Sequence, residues 1–189
     1  MKSIQRKHRA AFTLIEMMAV ITIIVILAGL VIGGLGFVTE RQAKEKAKVQ
    51  MSLLSKALEE YKLDNGTYPA TPDSANGEGA SAILFKALYW DSDNDGQGVP
   101  GDADQKIYVP ELDPAVGKQG WTTGTASAAT KIYDPWGGEY RYRTATNAAG
   151  AANTNTQNPD FDLWSVGKDA ATNPGTVSDK KNRDDIKSP

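Results

Sequence analysis

Cysteine is absent from the 189 residues, and histidine occurs once, at position 8. Without cysteine there is no disulfide framework to read, and the redox compartment stays open. The single imidazole lies in a basic N-terminal segment, so a chain trimmed of that segment lacks the usual nucleophile and base pairs and the soft metal ligands. These absences argue against an enzyme. Positive charge is also unevenly spread. Removing Lys2, Arg6, Lys7 and Arg9 with the first eleven residues leaves 17 of the 21 Lys and Arg against 23 Asp and Glu, a net of −6. No basic patch with interleaved aromatics remains, so nucleic acid is not an expected partner.

What the chain does have is a long apolar run. The composition is ordinary, 40% hydrophobic and 23% charged, but a sizeable part of the apolar share sits in the first 38 residues. The remainder is therefore expected to have a modest core and long loops. Met17 to Val38 is free of charge, and as a helix rising ~1.5 Å per residue it would span about 30 Å of hydrocarbon. The basic leader before it predicts a cytoplasmic N-terminus and an exported remainder. In a secretory signal the small-residue cleavage site follows the apolar core. Here the small-residue junction beside the basic segment, Ala10-Ala11, precedes it. Cutting there would leave the apolar segment on the mature chain. Glu16 stands at the start of that segment, where a carboxylate at membrane depth costs roughly 2.5 to 3.5 kcal/mol. The helix macrodipole returns about 0.3 to 1 kcal/mol of this. Either Glu16 sits at headgroup level as a helix-start residue, or it has a charged partner.

A basic leader, then "FTLIE", then about twenty apolar residues resembles the class III signal of type IV pilins and type II secretion pseudopilins. The resemblance implies cleavage between Ala11 and Phe12 by a prepilin peptidase, N-methylation of Phe12, and Glu16 as the fifth mature residue. Alanine replaces the family's usual glycine before the cut. On this resemblance Phe12 and Glu16 are assembly residues, the freed amino group of one subunit pairing with the carboxylate of the next. Gly29, Gly33, Gly34 and Gly36 would let helices approach closely, and they loosen the helix by about 1 kcal/mol each relative to alanine.

Beyond Val38 charge returns while helical periodicity continues. Ala47, Met51, Leu54, Leu58 and Tyr61 draw one apolar stripe, with Lys44, Glu45, Lys48, Glu59 and Glu60 largely off it. "KLDNGTYP" stops the helix, with Gly66 as a left-handed cap and Pro69 blocking continuation. One helix is thus expected from Phe12 to about Asp64. "ALEEYKLDNGTYPAT", residues 57 to 71, is similar to the end of the long helix in the major pseudopilins of type II secretion.

Ser81 to Trp90 predicts a second helix. It is followed by "DSDNDGQGVPGD", in which Asp91, Asp93 and Asp95 with Gly96 match the opening of a calcium loop and Asp102 takes the twelfth position. Gly98 stands where that motif prefers an aliphatic residue, and a solvated acidic turn is the alternative. "TTGTASAAT" and "TNAAGAANTNTQN" read as flexible loops. Strands are expected at 106–109, 139–143 and 161–166, with Tyr140 and Tyr142 alternating on a half-buried strand. "DPWGGEYRY" is again similar to the major pseudopilins, where Asp-Pro-Trp-Gly opens the sheet; read on its own it is a turn with a buried tryptophan.

"FDLWSVGKDAATNPGTVSDKKNRDDI" resembles the pseudopilin calcium loop, in which Ser-x-Gly-x-Asp folds back on a later Asp-Ile. The resemblance makes Asp169 and Asp184 side-chain ligands, with Asp185 a close rival and Ser165, Leu163 and Ser178 adding hydroxyl or backbone oxygens. Six to eight hard oxygens suit calcium, and a metal clip could close a long loop that apolar burial cannot hold. Pro174 and the basic spacer depart from the family pattern, and no aromatic follows Ile186.

The expected fold is α+β, a long N-terminal α-helix packed on a small antiparallel β-sheet with long loops. Residues 1–11 would be a cleaved leader, 12–38 the transmembrane and assembly helix, 39–66 its amphipathic half, and 67–189 a globular α/β region closed by a calcium loop. The resemblance implies a major pseudopilin that polymerises into a periplasmic pseudopilus driving type II secretion. Its partners would be further copies of itself, minor pseudopilins, an inner-membrane assembly platform and the prepilin peptidase, and it would start as a single-pass inner-membrane protein with its C-terminal region in the periplasm. A surface type IV pilin-like fibre subunit and a non-polymerising, membrane-anchored calcium-binding protein are the alternatives.

Overall fold

The computed structural model describes residues 12–72, 76–99, 105–117, 120–176 and 178–188. The expected long helix is present as α1, Leu14–Asn65, 52 residues. The chain divides into two compact units, to Arg41 and from Gln42. In the first, the helix presents its apolar residues outward, from Leu14 and Ile15 to Phe37 and Val38. It is long and apolar enough to cross a membrane.

In the second unit the apolar stripe becomes core. Ala47, Met51, Leu54 and Leu58 are buried, and Tyr61 packs against the same cluster. Fully burying a side chain such as Leu54 or Leu58 is worth roughly 1.5 to 3 kcal/mol. Charges off the stripe pair along the helix, Lys48 with Glu45 at 3.0 Å and Lys56 with Glu60 at 3.8 Å. The stop follows the expected chemistry. Gly66 adopts φ +76° and its N–H donates to the Lys62 carbonyl at 2.8 Å, the left-handed cap that a β-carbon would disfavour.

The second helix also forms, as α2, Ala80–Phe85, continued by a single π-helical turn over Lys86–Trp90. The segment 106–109 is not a strand. The amides of Tyr108 and Val109 both donate to the Leu88 carbonyl, at 3.0 and 3.1 Å, and Pro110 starts a 3₁₀ turn, Pro110–Leu112. Its side chains hold it to the end of α1, where Lys106 Nζ and the Tyr108 hydroxyl meet Asp64 Oδ2 at 2.6 and 2.9 Å. Of the alternating pair Ile107 and Val109, only Val109 is buried.

The sheet is antiparallel in the order β1, Arg141–Thr144; β2, Phe161–Ser165; β3, Ile186–Lys187. Tyr142 pairs with Leu163, and Ser165 with Ile186. Two of the three expected strands are present, slightly shorter than expected, and β3 replaces the third. Tyr140 and Tyr142 are fully buried rather than half-buried, with their hydroxyls donating to Gln50 Oε1 at 2.8 Å and the Pro69 carbonyl at 3.1 Å. The opposite face of β1 is covered too. Arg143 is 2% exposed and its Nε donates to Asp162 Oδ2 at 2.8 Å. Trp136 in the turn before the sheet is only partly buried, so the buried tryptophan expected there is not found. Thr122, Thr130 and Asn153 are buried within stretches read as flexible loops. Thr122 Oγ1 donates to the Leu112 carbonyl at 2.9 Å, and the Asn153 amide to the Ala145 carbonyl at 2.7 Å.

Candidate functional site

Three places carry chemistry. The first is the start of α1. Thr13 precedes the helix, and its amide and hydroxyl both donate to Glu16 Oε2 at 2.8 Å. The Glu16 amide returns a bond to Thr13 Oγ1 at 3.3 Å. This is a capping box, Thr-x-x-Glu, which satisfies two of the donors that every helix start leaves without a partner. The sequence reading placed Glu16 at the helix start but missed Thr13, although the spacing is legible. Phe12 is 76% exposed. Ala11, the other half of the expected cleavage junction, lies outside the described residues.

The second place is the loop between β2 and β3. Gly167 turns the chain with φ +67°, and a β-carbon there would come within 2.5 Å of the Asp184 carbonyl oxygen and 2.7 Å of its Oδ2. Only glycine fits this close approach. The Asp169 amide then donates to Asp184 Oδ2 at 2.9 Å, a backbone contact, and the carboxylates of Asp169, Asp184 and Asp185 do not converge within 4.8 Å of one another. Asp185 follows Asp184 in the chain. Its Oδ2 accepts from Thr172 Oγ1 at 2.8 Å, while its Oδ1 is buried without a hydrogen-bond partner. Burial pushes the Asp185 carboxyl up to about 6, with the neighbouring Asp184 and Asp169 charges acting in the same direction and the Thr172 bond against it.

The remaining expected ligands are differently placed. The Ser165 hydroxyl is fully buried; it donates to Asp134 Oδ2 at 2.5 Å and accepts the Gly167 amide at 3.1 Å. The Leu163 carbonyl accepts the Ser188 amide at 2.9 Å. Ser178 is exposed. Sequence reasoning did not single out Asp134. Its Oδ1 accepts the amides of Trp136 and Gly138 at 3.0 and 2.8 Å, so it ties the turn before the sheet to the end of β2. Burial raises its pKa, although these bonds oppose the shift. The Asp-Pro-x-Gly pattern is the signal that could have found it.

The third place is the acidic loop after the π turn. One carboxylate oxygen from each of Asp91, Asp93 and Asp95 lies within 4.8 Å of the others, the one such group of three among the described residues. The loop turns through Asn94 at φ +58° and Gly96 at φ +86°. Asp102, the expected twelfth-position ligand, lies outside the described residues.

Residues 6–32 match the prokaryotic N-terminal methylation motif, and residues 37–78 match the family of type II secretion system protein G. The core protein G of the type II secretion system of Pseudomonas aeruginosa is 29% identical over 165 residues, 87% of each chain. The core protein G of Aeromonas hydrophila is 43% identical over 82 residues, 43% of this chain and 54% of that one. The crystal structure of the major pseudopilin from enterohaemorrhagic Escherichia coli aligns at a TM-score of 0.41 and 20% identity, over 82% of this chain and 92% of that one. The chain therefore carries the N-terminal methylation motif that its leader and exposed apolar helix call for. Within that class its similarity is to the type II secretion core protein G, and the resemblance drawn from "FTLIE" and "ALEEYKLDNGTYPAT" is borne out.

Proposed function

We propose that this chain is the major subunit of a type II secretion pseudopilus, a structural protein that works by polymerising. The single observation that carries the reading is α1. From Met17 to Val38 it carries no charge and its described apolar side chains are exposed, while further along it supplies the core stripe of a folded domain. Such a surface costs about 25 cal/mol for each Å² left in water, so it belongs first in a bilayer and then against copies of itself. In this reading a prepilin peptidase removes residues 1–11 and methylates Phe12. The subunit then waits in the inner membrane with its N-terminus cytoplasmic and its folded domain in the periplasm, and it joins the fibre with minor pseudopilins at an assembly platform.

Glu16 acts as a registration device. The Thr13 capping box holds its carboxylate at the helix start, where the amino group of Phe12 on a neighbouring subunit would complete the pair. Calcium at the β2–β3 loop would have to draw together Asp169, Asp184 and Asp185, whose three carboxylates do not lie within 4.8 Å of one another. The orphaned Asp185 Oδ1 and the close Gly167 cradle suit a hard cation. Ser165 is committed to Asp134 and serves the loop as a support.

The test is mass spectrometry of the N-terminal peptide from membrane-extracted protein, paired with chemical cross-linking of wild type and Glu16→Ala. N-methylated Phe12 and cross-linked ladders that disappear in Glu16→Ala are expected. An intact leader with Met1 would leave a fixed anchor and end the polymer reading. A surface-exposed fibre of processed subunits would point to a type IV pilin.

A further inference from the structure

We propose that Asp91, Asp93 and Asp95 form a second divalent-cation site, of calcium type, separate from the β2–β3 loop and independent of the secretion reading. Beyond the convergence of the three carboxylates within 4.8 Å, a further observation points to a ligand. Asp91 is 3% exposed, and its Oδ1 is buried with no hydrogen-bond partner. A buried carboxylate oxygen without a donor is costly, and such orphans call for a missing ion or solvent molecule. The other oxygen, Oδ2, is already served, by the Gly96 amide at 3.2 Å and by Lys86 Nζ at 3.2 Å.

Lys86 also donates to Asn94 Oδ1 at 2.6 Å. A single ammonium among three carboxylates leaves the cluster with net negative charge, and it makes no hydrogen bond to the orphaned oxygen. Lys86 is therefore an internal counter-ion that a cation would displace. The exposed carboxylates of Asp93 and Asp95 complete the hard-oxygen set, and alternate positions with a glycine at the sixth suit the flexible coordination of calcium better than the strict octahedron of magnesium. The departure at Gly98 has a local cause. The indole of Trp90 fills the place of a side chain there, and a β-carbon on Gly98 would lie 2.0 Å from Trp90 Cε2. That packing places an indole beside the loop, where it can sensitise a bound lanthanide.

The experiment uses full-length protein in detergent micelles, with terbium luminescence excited through tryptophan, competition by calcium, and direct measurement of bound calcium. Asp184→Asn/Asp185→Asn serves as the background, so that the β2–β3 loop contributes nothing. The expected result is saturable terbium emission displaced by calcium, weakened at least about tenfold by adding Asp93→Asn/Asp95→Asn, and strengthened by Lys86→Gln. Asp93 and Asp95 are exposed, so their replacement leaves the core untouched, and circular dichroism checks that it does. Calcium stoichiometry and emission unchanged by Asp93→Asn/Asp95→Asn would overturn the site. Equal loss with folding intact establishes it whatever the N-terminal peptide shows.

Discussion

Replacing Asp162 with alanine strikes the buried ion pair between β1 and β2. Its side chain is 8% exposed and that of Arg143 2%. The carboxylate serves more than the guanidinium. Oδ2 accepts Arg143 Nε at 2.8 Å and the Gln157 amide at 2.9 Å, and Oδ1 accepts the Asn158 amide at 3.0 Å and Asn158 Nδ2 at 2.8 Å. The variant strips four bonds to one carboxylate, of which the one to Arg143 is buried. Breaking a buried pair from one side costs about 3 to 5 kcal/mol, because the remaining charge stays desolvated. Against a total stability of roughly 5 to 15 kcal/mol, that is a large share. Removing both charges behaves differently. Arg143→Met with Asp162→Leu keeps the volume apolar and is expected to cost less than the single change, since a buried pair repays little beyond its own desolvation. Urea unfolding of the full chain in micelles, followed by tryptophan fluorescence, measures both. Trp164 is a suitable reporter because Arg143 lies 5.1 Å from its ring. A cost below about 1 kcal/mol for Asp162→Ala, or a double variant no milder than the single one, would refute the reasoning.

Thr13→Ala should cost the helix start about 1 kcal/mol and speed amide exchange in the first turn of α1, measured by hydrogen exchange; unchanged exchange there would contradict the capping box. Gly167→Ala should destabilise the folded domain by about 1 to 3 kcal/mol in thermal unfolding, since φ +67° and the Asp184 carbonyl both reject a β-carbon, and a neutral result would show that the loop yields. At high pH the buried tyrosines should limit stability. Burial, with help from Asp64, pushes Tyr108 up to about 12, and Tyr140 and Tyr142 are raised further by burial. A folded phenol that keeps its proton above the unfolded value of about 10 stabilises fully below that pH, and the contribution is lost as pH rises through about 12. Alkaline unfolding should therefore coincide with phenolate absorbance, and Tyr108→Phe should lower its amplitude; tyrosines that ionise near pH 10 in a still folded chain would contradict this.

Much of the helix was readable because its signals are local. Hydropathy marks the exposed run, a spacing of three and four marks Ala47, Met51, Leu54 and Leu58 as core, and Gly66 marks the end. The Thr13–Glu16 box is equally local, a Thr-x-x-Glu spacing that needs no tertiary contact. The family motif pairs Asp169 with Asp184, and the contact between them comes from the Asp169 amide rather than from its carboxylate. What motif reading could not supply is competition for the same oxygens. The family resemblance makes Ser165 a ligand, yet its hydroxyl bonds to Asp134, 31 residues earlier in the chain.

Hydropathy, helical period and cap chemistry were enough to define a helix of about this length, 52 residues, and its change from outward apolar surface to core stripe. Long-range pairing settled the rest. Residues 106–109 alternate like a strand but dock on Leu88 and Asp64, and among the described residues no strand pairs with them. Ile186–Lys187 has too few residues to announce itself and becomes β3 because Trp164 and Ser165 offer it a ladder. Arg143 is buried rather than solvated because Asp162, across the sheet, compensates its charge. Periodicity and capping depend on neighbours within a turn or two, so they are written in the chain; the environment of a strand edge or a charged side chain depends on residues that only folding brings near.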